Sequence, residues 1–219
     1  MAVARNEPNS SKPAELVVLC HGYGADGKDL IGLAPALRRM LPGAAFVAPD
    51  APERCPGAGY QWFAISQLDP ELMHRGVLAA APGLEAVIKA ELQRYALAPE
   101  RLALVGFSQG TMMALQVGLS SLRPAAIVGF SGLLTGSPAP GPMPPVFLAH
   151  GEADPLIPAQ ALTLTAATLG ACGGRVQWHL SPGLGHGIDE TGIGLAGAFL
   201  ALAFAGELAA SGDACCVVR

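Results

Sequence analysis

Six short apolar runs punctuate the chain, at 16–20, 44–48, 102–105, 125–130, 146–149 and 176–180, and each has the character of a β-strand. Between them lie segments of helical character at about 28–41, 71–95, 109–121 and 158–170, with a last one at 191–205. Within the second of these, Leu84, Val87, Ile88, Leu92 and Tyr95 keep one apolar stripe at helical spacing. Strands alternating with helices predict an α/β protein whose mostly parallel sheet carries helices on both faces. No internal repeat or interdomain linker interrupts the pattern. It predicts one domain over 15–207, a mobile lead-in over 1–14 and a frayed tail over 208–219.

Length and composition agree with a single domain. A chain of 219 residues buries roughly 70% of its unfolded surface, enough for a sizeable core. Apolar residues make up 51% and aromatics only 5%, so that core is built from Ala, Leu and Val. The net charge of −4 and the lack of any basic block give no basis for nucleic acid as a partner. The longest uncharged apolar stretch, 191–206, is shorter than the roughly 20 residues a bilayer requires and is dominated by Gly and Ala. It predicts a terminal core helix, with no stable membrane insertion. Residues 1–7 carry no apolar run of the kind that marks export, which predicts a cytoplasmic protein. Cys20, Cys55, Cys172, Cys215 and Cys216 form an odd set without metal-ligand spacing, expected to be reduced thiols. The last four residues, Cys216-Val217-Val218-Arg219, match a prenylation pattern only superficially, because Arg is not a usual final residue and no basic run precedes it.

The chemistry enters at Gly106-Phe107-Ser108-Gln109-Gly110, which follows the run at 102–105 and opens the segment at 109–121. Strand, G-x-S-x-G, then helix is the setting of a nucleophile elbow. A serine on so sharp a turn needs neighbours without side-chain bulk, and glycines at 106 and 110 supply that. The turn lifts the serine Oγ out of the sheet edge. It also leaves the backbone N–H of Gln109 facing an incoming carbonyl oxygen, at the positive end of a helix.

An elbow serine is inert without a base and an acid to orient it. Three histidines follow Ser108: His150, His179 and His186. The first two lie in strand-like runs. His186 lies in the glycine-rich loop Gly183-Leu184-Gly185-His186-Gly187, from which an imidazole reaches over an elbow, and it is the candidate base. The candidate acid is Asp154, just after the run at 146–149 and ahead of Pro155, which biases it away from helix. Glu152 is its competitor and Asp189 a weaker one. A second oxyanion donor is expected from the loop His21-Gly22-Tyr23-Gly24 after the first long run, with the Tyr23 amide the candidate opposite that of Gln109.

Taken together, His21-Gly22-Tyr23-Gly24, Pro49-Asp50-Ala51-Pro52, Gln61-Trp62-Phe63, the elbow, His150-Gly151-x-x-Asp154 and Gly185-His186-Gly187-Ile188 resemble the phospholipase/carboxylesterase family of small serine hydrolases. That family includes acyl-protein thioesterases and bacterial carboxylesterases. The resemblance spans about 16–190. It implies an α/β-hydrolase core without a large cap, a Ser108–Asp154–His186 triad, and hydrolysis of esters with short or medium acyl chains. A homodimer paired over the active edge is compatible with it. One departure stands out: thioesterase-like members typically place aspartate after the Trp-Phe pair, where this chain has Ala64.

A small acyl ester is thus the expected partner, and the chemistry calls for neither a metal nor an organic cofactor. Trp62, Phe63, Leu72, Met73, Leu133 and Leu134 are expected to line the acyl slot, with residues 52–76 forming a small lid and 132–145 a loop at the active edge. A lysophospholipase or acyl-protein thioesterase acting at lipid surfaces is the alternative. A non-catalytic hydrolase-fold binding protein fits less well, because such proteins usually lack a triad member and none is missing here.

Overall fold

The computed structural model describes residues 1–8, 12–65, 69–138, 141–209 and 216–217. In chain order the elements are β1 (Val3–Asn6), β2 (Glu15–Cys20), α1 (Gly27–Leu30), α2 (Ala34–Leu37), β3 (Ala44–Pro49), β4 (Glu53–Arg54), β5 (Tyr60–Gln61), α3 (Pro70–Tyr95), β6 (Leu102–Phe107), α4 (Gln109–Val117), β7 (Ala126–Phe130), β8 (Val146–Gly151), α5 (Gln160–Ala171), β9 (Val176–Ser181), α6 (Glu190–Ala205) and β10 (Cys216–Val217). Eight strands form one sheet in the order β1-β3-β2-β6-β7-β8-β9-β10, while β4 and β5 pair as a separate hairpin. All neighbours in the large sheet run parallel except β1, which is antiparallel to β3. Each of the six apolar runs is a strand, and no large cap is inserted between them.

The strands sort their side chains by parity. Leu16, Val18 and Cys20 of β2 pack on one face, together with α3, α4 and α5. Val17 and Leu19 pack on the other, with Leu30, Ala34 and Leu37 of the α1–α2 region and Ala196, Phe199 and Leu200 of α6. Each fully buried Leu, Ile or Val on these faces contributes about 1.5–3 kcal/mol relative to exposure. Both faces are covered, so the central strands are apolar throughout.

Two expectations need correction. The lead-in predicted over 1–14 contains an edge strand: Val3 pairs with Pro49 and Asn6 with Phe46. Its anchors are distant in sequence. Arg5 forms an ion pair with the buried Glu91, Tyr95 donates to Glu7 at 3.0 Å, and Arg38 Nη2 donates to the Asn6 carbonyl at 2.9 Å. A four-residue strand held by such contacts leaves no local hydrophobic signal. The helix expected at 28–41 is also broken, into α1, a 3₁₀ turn over Ile31–Leu33, and α2 with proline in its first turn. Asp26 caps α1 through a reciprocal capping box with Asp29. In the tail expected over 208–219, Cys216–Val217 lies parallel to β9, while 210–215 and 218–219 lie outside the described residues.

Candidate active site

Strand β6 delivers Ser108 to the carboxyl edge of the sheet at φ 54° and ψ −117°, a left-handed backbone that a non-glycine residue holds only at a cost of about 1–3 kcal/mol. The surroundings enforce it. The Ser108 N–H donates to the Phe130 carbonyl at 2.8 Å, and the Thr111 N–H donates to the Ser108 carbonyl at 2.9 Å. A Cβ on Gly106 would come within 2.3 Å of the Gly110 carbonyl oxygen, and one on Gly110 within 1.9 Å of that of Cys20. Only glycine lets these three backbone segments meet.

Strand β9 leads into the loop carrying His186. Its Nε2 lies 2.9 Å from Ser108 Oγ and its Nδ1 2.7 Å from Asp154 Oδ2. A carboxylate accepts, so Nδ1 carries the proton and Nε2 is free to accept from the serine hydroxyl. The Phe107 ring backs the imidazole, with the two ring centroids 5.0 Å apart. Strand β8 leads into the turn carrying Asp154, whose side chain is fully buried. Its Oδ1 accepts from the amides of Leu156 and Ile157, each at 2.9 Å. Burial alone pushes this carboxyl upward; the Ile157 amide, the His186 imidazole and the Leu156 amide outweigh it, holding the group below the usual carboxylate range.

The competing acids have other work. Glu152 accepts from the Gly183 amide at 3.2 Å on the surface, and Asp189 caps α6 by accepting from the Gly192 amide at 2.8 Å. His179 is buried with neither ring nitrogen hydrogen-bonded. His150 is buried beside Asp154, its Nε2 2.8 Å from the Ile157 carbonyl and 3.2 Å from Asp154 Oδ2.

The loop after β2 lies against the elbow. A Cβ on Gly22 would sit 3.3 Å from Ser108 Cβ. Among the described residues, the amides of Tyr23 and Gln109 donate to no protein acceptor, which leaves both available as oxyanion donors. The Tyr23 side chain itself is exposed. His21 is fully buried and accepts from the Ala51 amide at Nε2, 2.9 Å away. Its Nδ1 therefore carries the proton and donates to the Gly22 carbonyl at 2.7 Å. Burial holds this imidazole below its usual pKa.

The expected acyl-slot residues divide. Trp62 and Phe63 are 1% and 5% exposed, pack in the core cluster beside α3 and α4, and do not border the cavity that Met73 lines. The Gln109 side chain holds them there: Oε1 accepts from the Trp62 amide at 2.8 Å and Nε2 donates to the Phe63 carbonyl at 2.7 Å. The Trp62 indole donates to the His21 carbonyl at 2.9 Å. Leu72 projects into solvent from the first turn of α3. Met73, Leu133 and Leu134 do share a cavity, of about 290 Å³, together with Pro70, Ala161 and Leu164. Gly132, one residue before Leu133, lies against the elbow; a Cβ there would come 2.7 Å from the Ser108 carbonyl oxygen. The supporting roles of His21, His150 and the Gln109 side chain are not legible in the sequence, since each depends on a neighbouring loop folding against it. The only local sign of them was a polar residue beside an apolar run.

Among the described residues no three His, Cys, Asp or Glu side chains are grouped to share a metal ion, and no helix is long and apolar enough to cross a membrane.

The model of the phospholipase/carboxylesterase family matches residues 2–204. Acyl-protein thioesterase 1 of Gibberella zeae is 31% identical over 210 residues, covering 82% of this chain and 86% of that protein. Esterase YpfH of Escherichia coli is 27% identical over 187 residues, covering 82% of this chain and 79% of its own. Among solved structures, esterase PE8 superposes with a TM-score of 0.83 at 37% identity, covering 90% of this chain and 96% of its own. Acyl-protein thioesterase 2 of Zea mays shares the fold, with a TM-score of 0.75 at 21% identity over 93% of this chain and 99% of its own. The chain belongs to the phospholipase/carboxylesterase family of α/β-hydrolases, and is a serine hydrolase of carboxylic esters.

Proposed function

We propose that the protein is a carboxylesterase that cleaves short- to medium-chain acyl esters through an acyl-enzyme on Ser108, with His186 as base and Asp154 as orienting acid. The observation that carries this reading is the hydrogen-bonded line from Ser108 Oγ through His186 to Asp154, at 2.9 and 2.7 Å. As Oγ attacks the acyl carbon, His186 Nε2 takes its proton, and the imidazolium is stabilised by the buried Asp154 carboxylate. The amides of Tyr23 and Gln109 receive the oxyanion, each such donor lowering the barrier by on the order of 3 kcal/mol. Collapse of the tetrahedral species expels the leaving alcohol, which takes the proton from Nε2. Water then gives up a proton to Nε2, attacks the acyl carbon and releases the acid, returning the proton to Ser108.

The apolar cavity bounded by Met73, Leu133 and Leu134 supports an acyl slot of limited length. Comparing turnover of p-nitrophenyl esters from acetate to palmitate tests this. A maximum below palmitate is expected, and palmitate as the best substrate would overturn the chain-length assignment. A thioesterase reading is favoured by one observation, the acyl-protein thioesterases among the relatives. Running matched thioesters and acylated peptides in the same series, with and without micelles, separates it: preference for the peptide or strong micellar activation would replace the soluble-ester reading.

A further inference from the structure

His150 lies outside the Ser108–His186–Asp154 line, yet touches it. It occupies the penultimate position of β8, four residues before Asp154, and its ring is 1% exposed. Nε2 lies 2.8 Å from the Ile157 carbonyl oxygen and 3.2 Å from Asp154 Oδ2. A carbonyl oxygen only accepts, so Nε2 carries a proton and donates it to Ile157, while its approach to Oδ2 is a close contact and not a hydrogen bond. The Asp154 carboxylate is held on Oδ1 by the amides of Leu156 and Ile157 and on Oδ2 by the His186 imidazole, with the His150 ring packed against it.

We propose that His150 is a positioning residue for the hydrolytic reaction, holding the 154–157 turn so that Asp154 Oδ2 stays on the His186 N–H. The inference rests on the acyl-enzyme reading above. The bond to Ile157 ties the far end of the turn back to β8, so one buried imidazole sets the position from which the acid meets the base. A buried carbonyl that loses its donor finds no solvent to replace it, and the turn shifts once the imidazole is gone.

The test compares His150→Phe, which keeps the ring volume and removes the donor, with His150→Gln, whose amide restores a donor at similar reach. Release of the turn that aims the acid predicts kcat roughly ten- to a hundred-fold lower in His150→Phe with KM nearly unchanged. His150→Gln is expected to recover most of that loss. Because the effect runs through Asp154, His150→Phe added to Asp154→Asn should slow the enzyme no further than Asp154→Asn alone. Wild-type kcat in folded His150→Phe overturns the proposal; so does a glutamine variant as slow as the phenylalanine one, or a double variant whose losses multiply. If the phenylalanine variant does not fold, His150→Asn, too short to reach the Ile157 carbonyl, takes its place with the same expectations. A Ser108→Ala control that retained turnover would overturn the acyl-enzyme reading instead, an outcome distinct from any of these.

Discussion

Gly151 lies so close to Gly185 that a Cβ at position 151 would come 2.1 Å from the Gly185 carbonyl oxygen. This is where the loop carrying the acid meets the loop carrying the base. The same two loops are laced by the Glu152 amide donating to the Ser181 carbonyl at 3.0 Å and the Ala153 amide donating to the Leu184 carbonyl at 2.9 Å. The 2.7 Å contact between His186 and Asp154 is set by that backbone joint as much as by the side chains themselves.

Gly151→Ala should therefore damage catalysis without touching a reacting group. Relief of the clash requires the 184–185 segment to move by about an ångström, and misplacement on that scale costs on the order of 100-fold in rate. Steady-state kinetics should show kcat falling by about that factor in a protein that still folds. Wild-type kcat would mean that the two loops adjust independently.

The two acids flanking this joint separate cleanly by mutation. Asp154→Asn should lower kcat by about 10⁴, because the amide cannot hold His186 in the tautomer that receives the serine proton. Glu152→Gln loses only a surface contact to the Gly183 amide and should stay within about threefold of wild type. Kinetics on one p-nitrophenyl ester decide between them, and a reversed ranking would reassign the acid.

Gln109 has two roles that a single substitution pulls apart. In the proposed mechanism its backbone amide receives the oxyanion, while its side chain satisfies the Trp62 amide and the Phe63 carbonyl inside the core. Gln109→Ala keeps the amide and leaves two buried groups without partners, at about 1–3 kcal/mol each. For a domain of this size that predicts a melting temperature lower by roughly 5–15 °C, with kcat per folded molecule changed far less. A large loss of kcat at unchanged melting temperature would contradict this division.

His21 should make the fold sensitive to mild acid. Burial holds its pKa below the usual value of about 6.5, so the unfolded chain binds more protons than the folded one below that pH. The stability involved is fully present above about pH 6.5 and is lost as pH falls toward the folded-state pKa, at up to about 1.4 kcal/mol per pH unit. Thermal unfolding from pH 8 to 5.5 should show a shallower acid-side slope for His21→Asn than for wild type, since the other histidines are common to both. Equal slopes would show that His21 is not the group being protonated.

How much of this was legible in the chain depended on where the information resides. The central strands are buried on both faces, so their apolar runs stand out without any tertiary knowledge. Ser108, Asp154 and His186 were legible as candidates because each follows a strand in a loop marked by glycine or proline. Edge strand β1 was not, since it depends on Arg5 reaching a carboxylate 86 residues away. The burial of Trp62 and Phe63 is hidden for a related reason: large apolar side chains near a sheet edge serve a binding slot or a core equally well. What decides is the Gln109 side chain that draws their backbone inward, a contact across 46–47 positions. His150 looked like an ordinary strand residue because its contact with Asp154 arises only when the 154–157 turn folds back on β8.

The central claim is that Ser108 is an activated nucleophile. The most direct test is reaction with a fluorophosphonate probe, wild type beside Ser108→Ala, read by intact mass. One adduct per wild-type chain and none on the variant is the expected result. No adduct on folded wild type, or an adduct that persists in Ser108→Ala, would contradict it.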